Sequence, residues 1–149
     1  MSRRSRKRSA TKRARETPPE RVVFFTDRDV GRYIIPEALR NLGESVTTIF
    51  DAFPSNHEKI PDEQWLELVG RNRWVAITCD QNIRRRYNER KAVIDFEVRE
   101  FVFTSGNLSG PQMAEILALA LPAIHRFLGR HEGPFIASIS KKGIVKRLQ

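Results

Sequence analysis

Among its 149 residues the chain has one cysteine, Cys79, so neither an intramolecular disulfide framework nor a cysteine-rich zinc site is open to it. Its three histidines, His57, His125 and His131, fall at no metal-ligand spacing, which favours surface or packing roles for all three. Long apolar runs are also missing. Nowhere does the chain offer the roughly 18 apolar residues of a membrane span, and the basic start is not followed by the apolar stretch of a secretion signal. These absences lead to the expectation of a cytoplasmic protein in a reducing compartment with no membrane partner. No internal repeat is visible.

What the chain has in excess is positive charge, formally +9, and it is unevenly spread. Residues 1–20 hold eight Lys or Arg against Glu16 and Glu20, leaving only about +3 for the remainder. This stretch contains no Phe, Leu, Ile or Val, so it can bury too little surface to offset the entropy of ordering it. The expectation is a disordered basic tail over 1–20, similar to the arginine-rich arms that bind nucleic acid without reading its sequence, or else a solubilising extension. A single domain then occupies 21–149, with enough hydrophobic content for one core.

Within that domain, Val22-Val23-Phe24-Phe25-Thr26 is a continuous apolar run of strand length, as expected of a strand buried on both faces of a parallel sheet. It ends at Asp27. Ile34, Ile35, Ala38, Leu39 and Leu42 have helical spacing, with Gly43 as terminator. A second strand is expected over Ser45 to Phe50. After a polar connection with Pro54 and Pro61, a helix is expected from Asp62 to Val69, with acids in its first turn. Trp74 to Thr78 is the third strand and stops before Cys79-Asp80. A helix around Glu89 to Phe96, a strand from Arg99 to Thr104 and a long helix from Pro111 to about Arg130 follow. That last helix has a stripe of Met113, Ile116, Leu117, Ala120, Leu121, Ile124 and Leu128, and a Pro122 that could kink it. Phe135–Ser140 and Ile144–Leu148 read as a terminal hairpin. Trp65, Trp74 and Phe101 fall on apolar faces and read as core.

Strands alternating with helices predict an α/β sandwich with a mostly parallel sheet, whose ligands sit beyond the carboxyl ends of the strands. Asp27 and Asp80 belong there, and Asp62 or Glu63 can supply a third acid. Carboxylates without His or Cys suit a hard cation, Mg²⁺ or Mn²⁺. Such an ion acidifies water and stabilises charge on a leaving oxygen, which is what phosphodiester hydrolysis requires. The alternative is structural, since an Asp after a strand often caps the next helix and Asp62 is placed to be an N-cap.

Phe24-Phe25-Thr26-Asp27-Arg28, Pro61-Asp62-Glu63-Gln64-Trp65 and Thr78-Cys79-Asp80 resemble the acid-bearing segments of PIN-like domains, with the nearest likeness to the VapC-like branch. The likeness continues through Thr104-Ser105-Gly106-Asn107-Leu108 and Gly133-Pro134-Phe135-Ile136-Ala137-Ser138, so it spans about residues 22–148. It implies a PIN-like three-layer sandwich and an RNA-cleaving nuclease, often the toxin of a toxin–antitoxin pair, with three or four acids around one or two divalent metals. By position Asp27 is the first acid, Asp62 or Glu63 the second, and Asp80 the third. Thr78 stands where a hydroxyl often supports the site. A fourth acid is common two residues after the third, but here that position is Asn82, which offers only a neutral carbonyl oxygen. The resemblance implies RNA as substrate and an antitoxin as partner, and leaves a homodimer open.

Arg28, Arg84, Arg85 and Arg86 flank the acids and could hold phosphates, since the guanidinium fork matches phosphate oxygens; a solvated polar face is the alternative. Asn107 could face the cleft or serve the turn, and Asp51 reads as structural. A second reading of the whole chain is a catalytically inactive PIN-like module for RNA or protein binding, with Asn82 as its best support. A receiver-like α/β domain also gathers acids at strand ends, but no Lys follows a late strand in the way that fold requires.

Overall fold

The continuous apolar runs form the strands of one sheet, because each is flanked by helices that cover both of its faces. The computed structural model describes residues 21–79, 87–104 and 106–149; the tail over 1–20 lies outside them. Its elements in chain order are β1 (Val23–Thr26), a 3₁₀ turn (Arg28–Val30), α1 (Ile34–Asn41), β2 (Ser45–Thr48), α2 (Ile49–Ala52), α3 (Asp62–Arg71), β3 (Val75–Thr78), α4 (Tyr87–Asp95), β4 (Arg99–Phe103), α5 (Gly110–Arg130), β5 (Phe135–Ile139) and β6 (Val145–Arg147). The strand order is β2-β1-β3-β4-β5-β6. The first five strands are parallel, and β6 closes the edge antiparallel to β5 as the expected terminal hairpin.

Side-chain alternation along each strand divides the core into two layers. Phe24, Ile77, Phe101 and Ala137 pack with α1 and α5 on one face. Phe25, Ala76, Val102 and Ile136 pack with α3 and α4 on the other. This is the three-layer α/β sandwich expected from the sequence, with the large aromatic side chains at its centre contributing about 1.5–3 kcal/mol each by burial. Trp65 and Phe101 are fully buried, and Trp74 stacks on Phe25 at 6.0 Å between ring centroids.

The long helix α5 starts one residue earlier than expected, because Ser109 and Gln112 form a reciprocal capping box. It runs through Pro122 to Arg130, and Met113, Ile116, Leu117, Ala120, Leu121 and Ile124 are buried as their spacing implies.

Two details differ from the sequence reading. Strand β2 ends at Thr48 rather than Phe50, because the Thr48 hydroxyl accepts from the Asp51 amide at 3.0 Å while the Asp51 carboxylate accepts from the Thr48 amide at 3.1 Å. That capping box turns Ile49–Ala52 into a short helix and gives Asp51 its structural role. Ile34 in α1 and Leu42 at its C-cap are about half exposed, and Ile35, Pro36 and Leu39 form the buried face of the helix.

Close packing of α3 on the end of α4 rests on a glycine. A Cβ added at Gly70 would lie 2.2 Å from the Phe96 carbonyl oxygen. An alanine in mid-helix normally stabilises by up to about 1 kcal/mol, but here the obstacle is backbone and cannot rotate away. Gly70→Ala is therefore expected to destabilise the fold by about 1–3 kcal/mol, measured as a lower urea midpoint with an unchanged denaturant slope.

Candidate active site

Asp27 follows the last residue of β1, on an edge where parallel strands deliver their carboxyl ends. Its backbone is extended (φ −92°, ψ −174°), and its side chain makes no capping hydrogen bond to the 3₁₀ turn that follows. The structural alternative for this acid, a helix cap, is thus not realised. The side chain is only 5% exposed. The Thr78 hydroxyl at the end of the neighbouring strand β3 donates to its Oδ2 at 3.1 Å, as the β1–β3 register would require if extended by one residue. Its Oδ1 is buried and has no hydrogen-bond partner among the described residues.

Burial therefore dominates the electrostatics of this carboxyl, whose pKa is pushed up from 3.8 to about 8. Loss of hydration is the largest cause, followed by the nearby negative charge of Asp29. The Thr78 hydrogen bond works against these, Asp62 adds to them, and Arg28 gives a smaller opposing pull.

Asp62 and Glu63 occupy the first turn of α3, but Pro61, not Asp62, is the N-cap. Both acids are half-buried, yet only Asp62 acts on the charge of Asp27. Its Oδ1 accepts from the Trp65 indole at 2.9 Å. Trp65 in turn stacks on Phe25 with centroids 5.5 Å apart, so one aromatic contact links the strand that leads into Asp27 to the helix that begins at Asp62.

Asp29 was not among the acids singled out from the sequence. It is exposed, and its carbonyl accepts from the Cys79 thiol at 3.0 Å. The spacing Asp27-Arg28-Asp29 was the available signal: a tight turn two residues long keeps the second acid close to the first.

The donors offered here are carboxylate and hydroxyl oxygens, and one buried carboxylate oxygen has no hydrogen-bond partner among the described residues. Both features fit a hard divalent cation. Among the described residues no three acids, imidazoles or thiols are close enough to hold a metal ion. Asp80, Asn82, Arg84, Arg85 and Arg86 lie outside the described residues.

The other candidates have structural partners. The Arg28 guanidinium donates to the carbonyls of His57 and Ile60. Asn107 adopts a left-handed backbone (φ 60°) that Asn tolerates well. His57 packs edge-on to Phe50, His125 meets Phe24 and Glu44, and His131 stacks on Phe127, in keeping with packing roles. Among the described residues no helix is long and apolar enough to cross a membrane.

Comparison with known proteins agrees with this arrangement. The chain is 30% identical over 126 residues to "Putative ribonuclease VapC45" of Mycobacterium tuberculosis (strain ATCC 25618 / H37Rv), a match covering 84% of this chain and 91% of that protein. No solved structure matches it at a significant level. The family described as PIN like domain matches residues 22–105, from the strand that delivers Asp27 to just past the end of β4. With its six-stranded, mostly parallel sheet between two helical layers, the chain belongs to the PIN-like domain family, in its VapC-like branch.

Proposed function

We propose that the protein is a Mg²⁺- or Mn²⁺-dependent endoribonuclease that hydrolyses RNA phosphodiester bonds, acting in the cytoplasm as the toxin of a toxin–antitoxin pair. The observation that carries this reading is Asp27: a carboxylate buried at a strand end, beside Asp62, with one oxygen that has no hydrogen-bond partner among the described residues. A buried acid of that kind is costly unless it is neutralised or shared with a cation. The relative's name, a ribonuclease of the VapC type, supports the same chemistry.

In this reading Asp27, Asp62 and Asp80 hold the cation, which when bound favours deprotonation of water and neutralises charge developing on the leaving oxygen. Thr78 fixes one oxygen of Asp27, and the other, which has no hydrogen-bond partner among the described residues, would face the cation. The Trp65 indole donates to Oδ1 of Asp62, and the charge of Asp62 acts on Asp27, which favours Asp62 over Glu63 as the second acid. Arg84, Arg85 and Arg86 would hold the RNA on either side of the scissile bond, and the basic tail would add affinity that salt weakens. An antitoxin would then cover the acidic cleft with a basic side chain or a helix.

The choice between the two neighbouring acids is directly testable. Asp62→Asn is expected to reduce cleavage of a mixed RNA substrate at least about 100-fold, whereas Glu63→Gln stays within about threefold of wild type. The reverse order would show that Glu63 is the acid that binds.

A non-catalytic RNA-binding module is the second reading, supported by Asn82 in place of an acid. It requires that removing residues 1–20 abolish RNA binding, while the enzyme reading requires that the truncated chain retain cleavage.

A further inference from the structure

The acids Asp27 and Asp62 lie 35 residues apart in sequence, and the connection that carries the second must be fastened for the pair to keep its spacing. Arg28, the residue after Asp27, provides such a fastening. Its Nη1 donates to the His57 carbonyl and its Nη2 to the Ile60 carbonyl at 3.2 Å, and Ile60 is followed directly by Pro61 and Asp62. Ile60 itself is buried. The same loop is held a second time, because the His57 ring meets the Phe50 ring at 4.7 Å and Arg32 lies 5.1 Å over that Phe50 ring.

We infer that Arg28 is a positioning residue, its guanidinium fork clamping the His57–Ile60 loop so that the first turn of α3 presents Asp62 to the same cation as Asp27. This role rests on the metal-dependent reading above. It sets Arg28 apart from the phosphate-binding role expected from its sequence position. Arginine suits the task because one rigid planar group reaches two carbonyls through separate nitrogens, whereas lysine has a single nitrogen on a flexible stem.

Electrostatics alone predicts the opposite sign. A cation beside a metal site repels the metal, so deleting Arg28 without any positional effect would tighten metal binding. A clamp predicts weaker binding, by the factor of about 10 to 100 typical when a group orienting a metal ligand is lost.

The test uses the full-length chain with three measurements on wild type, Arg28→Ala and Arg28→Lys. These are Mn²⁺ affinity by calorimetric titration, amide hydrogen exchange over residues 57–62, and the KM for RNA at saturating Mn²⁺. The inference expects both variants to bind Mn²⁺ about 10- to 100-fold more weakly, to exchange faster in that loop, and to keep a near-wild-type KM. If Arg28→Lys binds Mn²⁺ as well as wild type, or Arg28→Ala binds it more tightly, the positioning role is overturned. A raised KM with unchanged Mn²⁺ affinity would return Arg28 to phosphate binding. Wild-type protein that takes up no Mn²⁺ would overturn the metal-dependent reading itself, an outcome seen before any variant is compared.

Discussion

Replacing Asp27 with Asn is expected to lower RNA cleavage by about a thousandfold, equivalent to about 4 kcal/mol of lost transition-state stabilisation, without unfolding the protein. The amide has nearly the same shape as the carboxylate, so the buried pocket at the end of β1 stays filled. What it loses is the negative charge that a divalent cation needs. In the metal-free protein that charge is a burden: burial, Asp29 and Asp62 push the Asp27 pKa to about 8, from 3.8. The raised value means that the folded state favours the protonated acid. Its contribution to stability is fully present below about pH 4 and is lost as pH rises through about 8, by at most about 1.4 kcal/mol per pH unit in between. Asp27→Asn has no such loss. Urea denaturation at pH 5 and pH 8 in the presence of chelator should show wild type weakening relative to the variant at the higher pH. Adding Mn²⁺ should restore wild type and leave the variant unchanged. A variant that unfolds at both pH values would instead assign Asp27 a structural role.

Trp65→Ala is expected to be the most damaging core substitution near the site, costing about 3–5 kcal/mol. The side chain is 1% exposed and stacks on Phe25 at the centre of one core layer, so truncation leaves a cavity that the rigid sheet on one side cannot close. It also removes the indole that donates to Asp62. Trp65→Phe separates the two effects. Most of the packing survives, so its stability should fall by about 1–2 kcal/mol, but Asp62 loses the indole hydrogen bond and Mn²⁺ affinity should fall with it by about tenfold. The unfolding free energy from urea titration and the Mn²⁺ dissociation constant report the two separately. Equal Mn²⁺ affinity in Trp65→Phe and wild type would mean that the indole does not orient Asp62.

The strands and long helices were legible because each carries an unbroken local signal. Val22 to Thr26 is apolar on both faces, and the α5 stripe repeats at helical spacing over 16 residues from Met113 to Leu128. The short helix after β2 was not legible: Ile49 and Phe50 continue a strand-like pattern, and the device that ends it is a reciprocal hydrogen bond between Thr48 and Asp51. For the candidate site, the placement of Asp27 at a strand end could be read directly from the run that precedes it. The difference between Asp62 and Glu63 could not, since adjacent residues on a helix differ in direction by about 100°, and that Asp62 accepts from the Trp65 indole and acts on the charge of Asp27 emerges only in the folded chain. Asp29 and the Arg28 clamp escaped notice for a related reason. Their partners, Cys79 and the His57–Ile60 loop, lie tens of residues away in sequence, and the turn that brings them together has no apolar periodicity to announce it.

The most direct test of the central claim is cleavage of a mixed RNA substrate by the full-length protein with Mg²⁺ or Mn²⁺, run beside Asp80→Asn and beside wild type in excess chelator. Wild type is expected to cut the RNA only when the cation is present, and Asp80→Asn to leave it intact under the same conditions. Cleavage that persists in chelator, or that Asp80→Asn performs at the wild-type rate, would contradict a metal-dependent nuclease built on these acids.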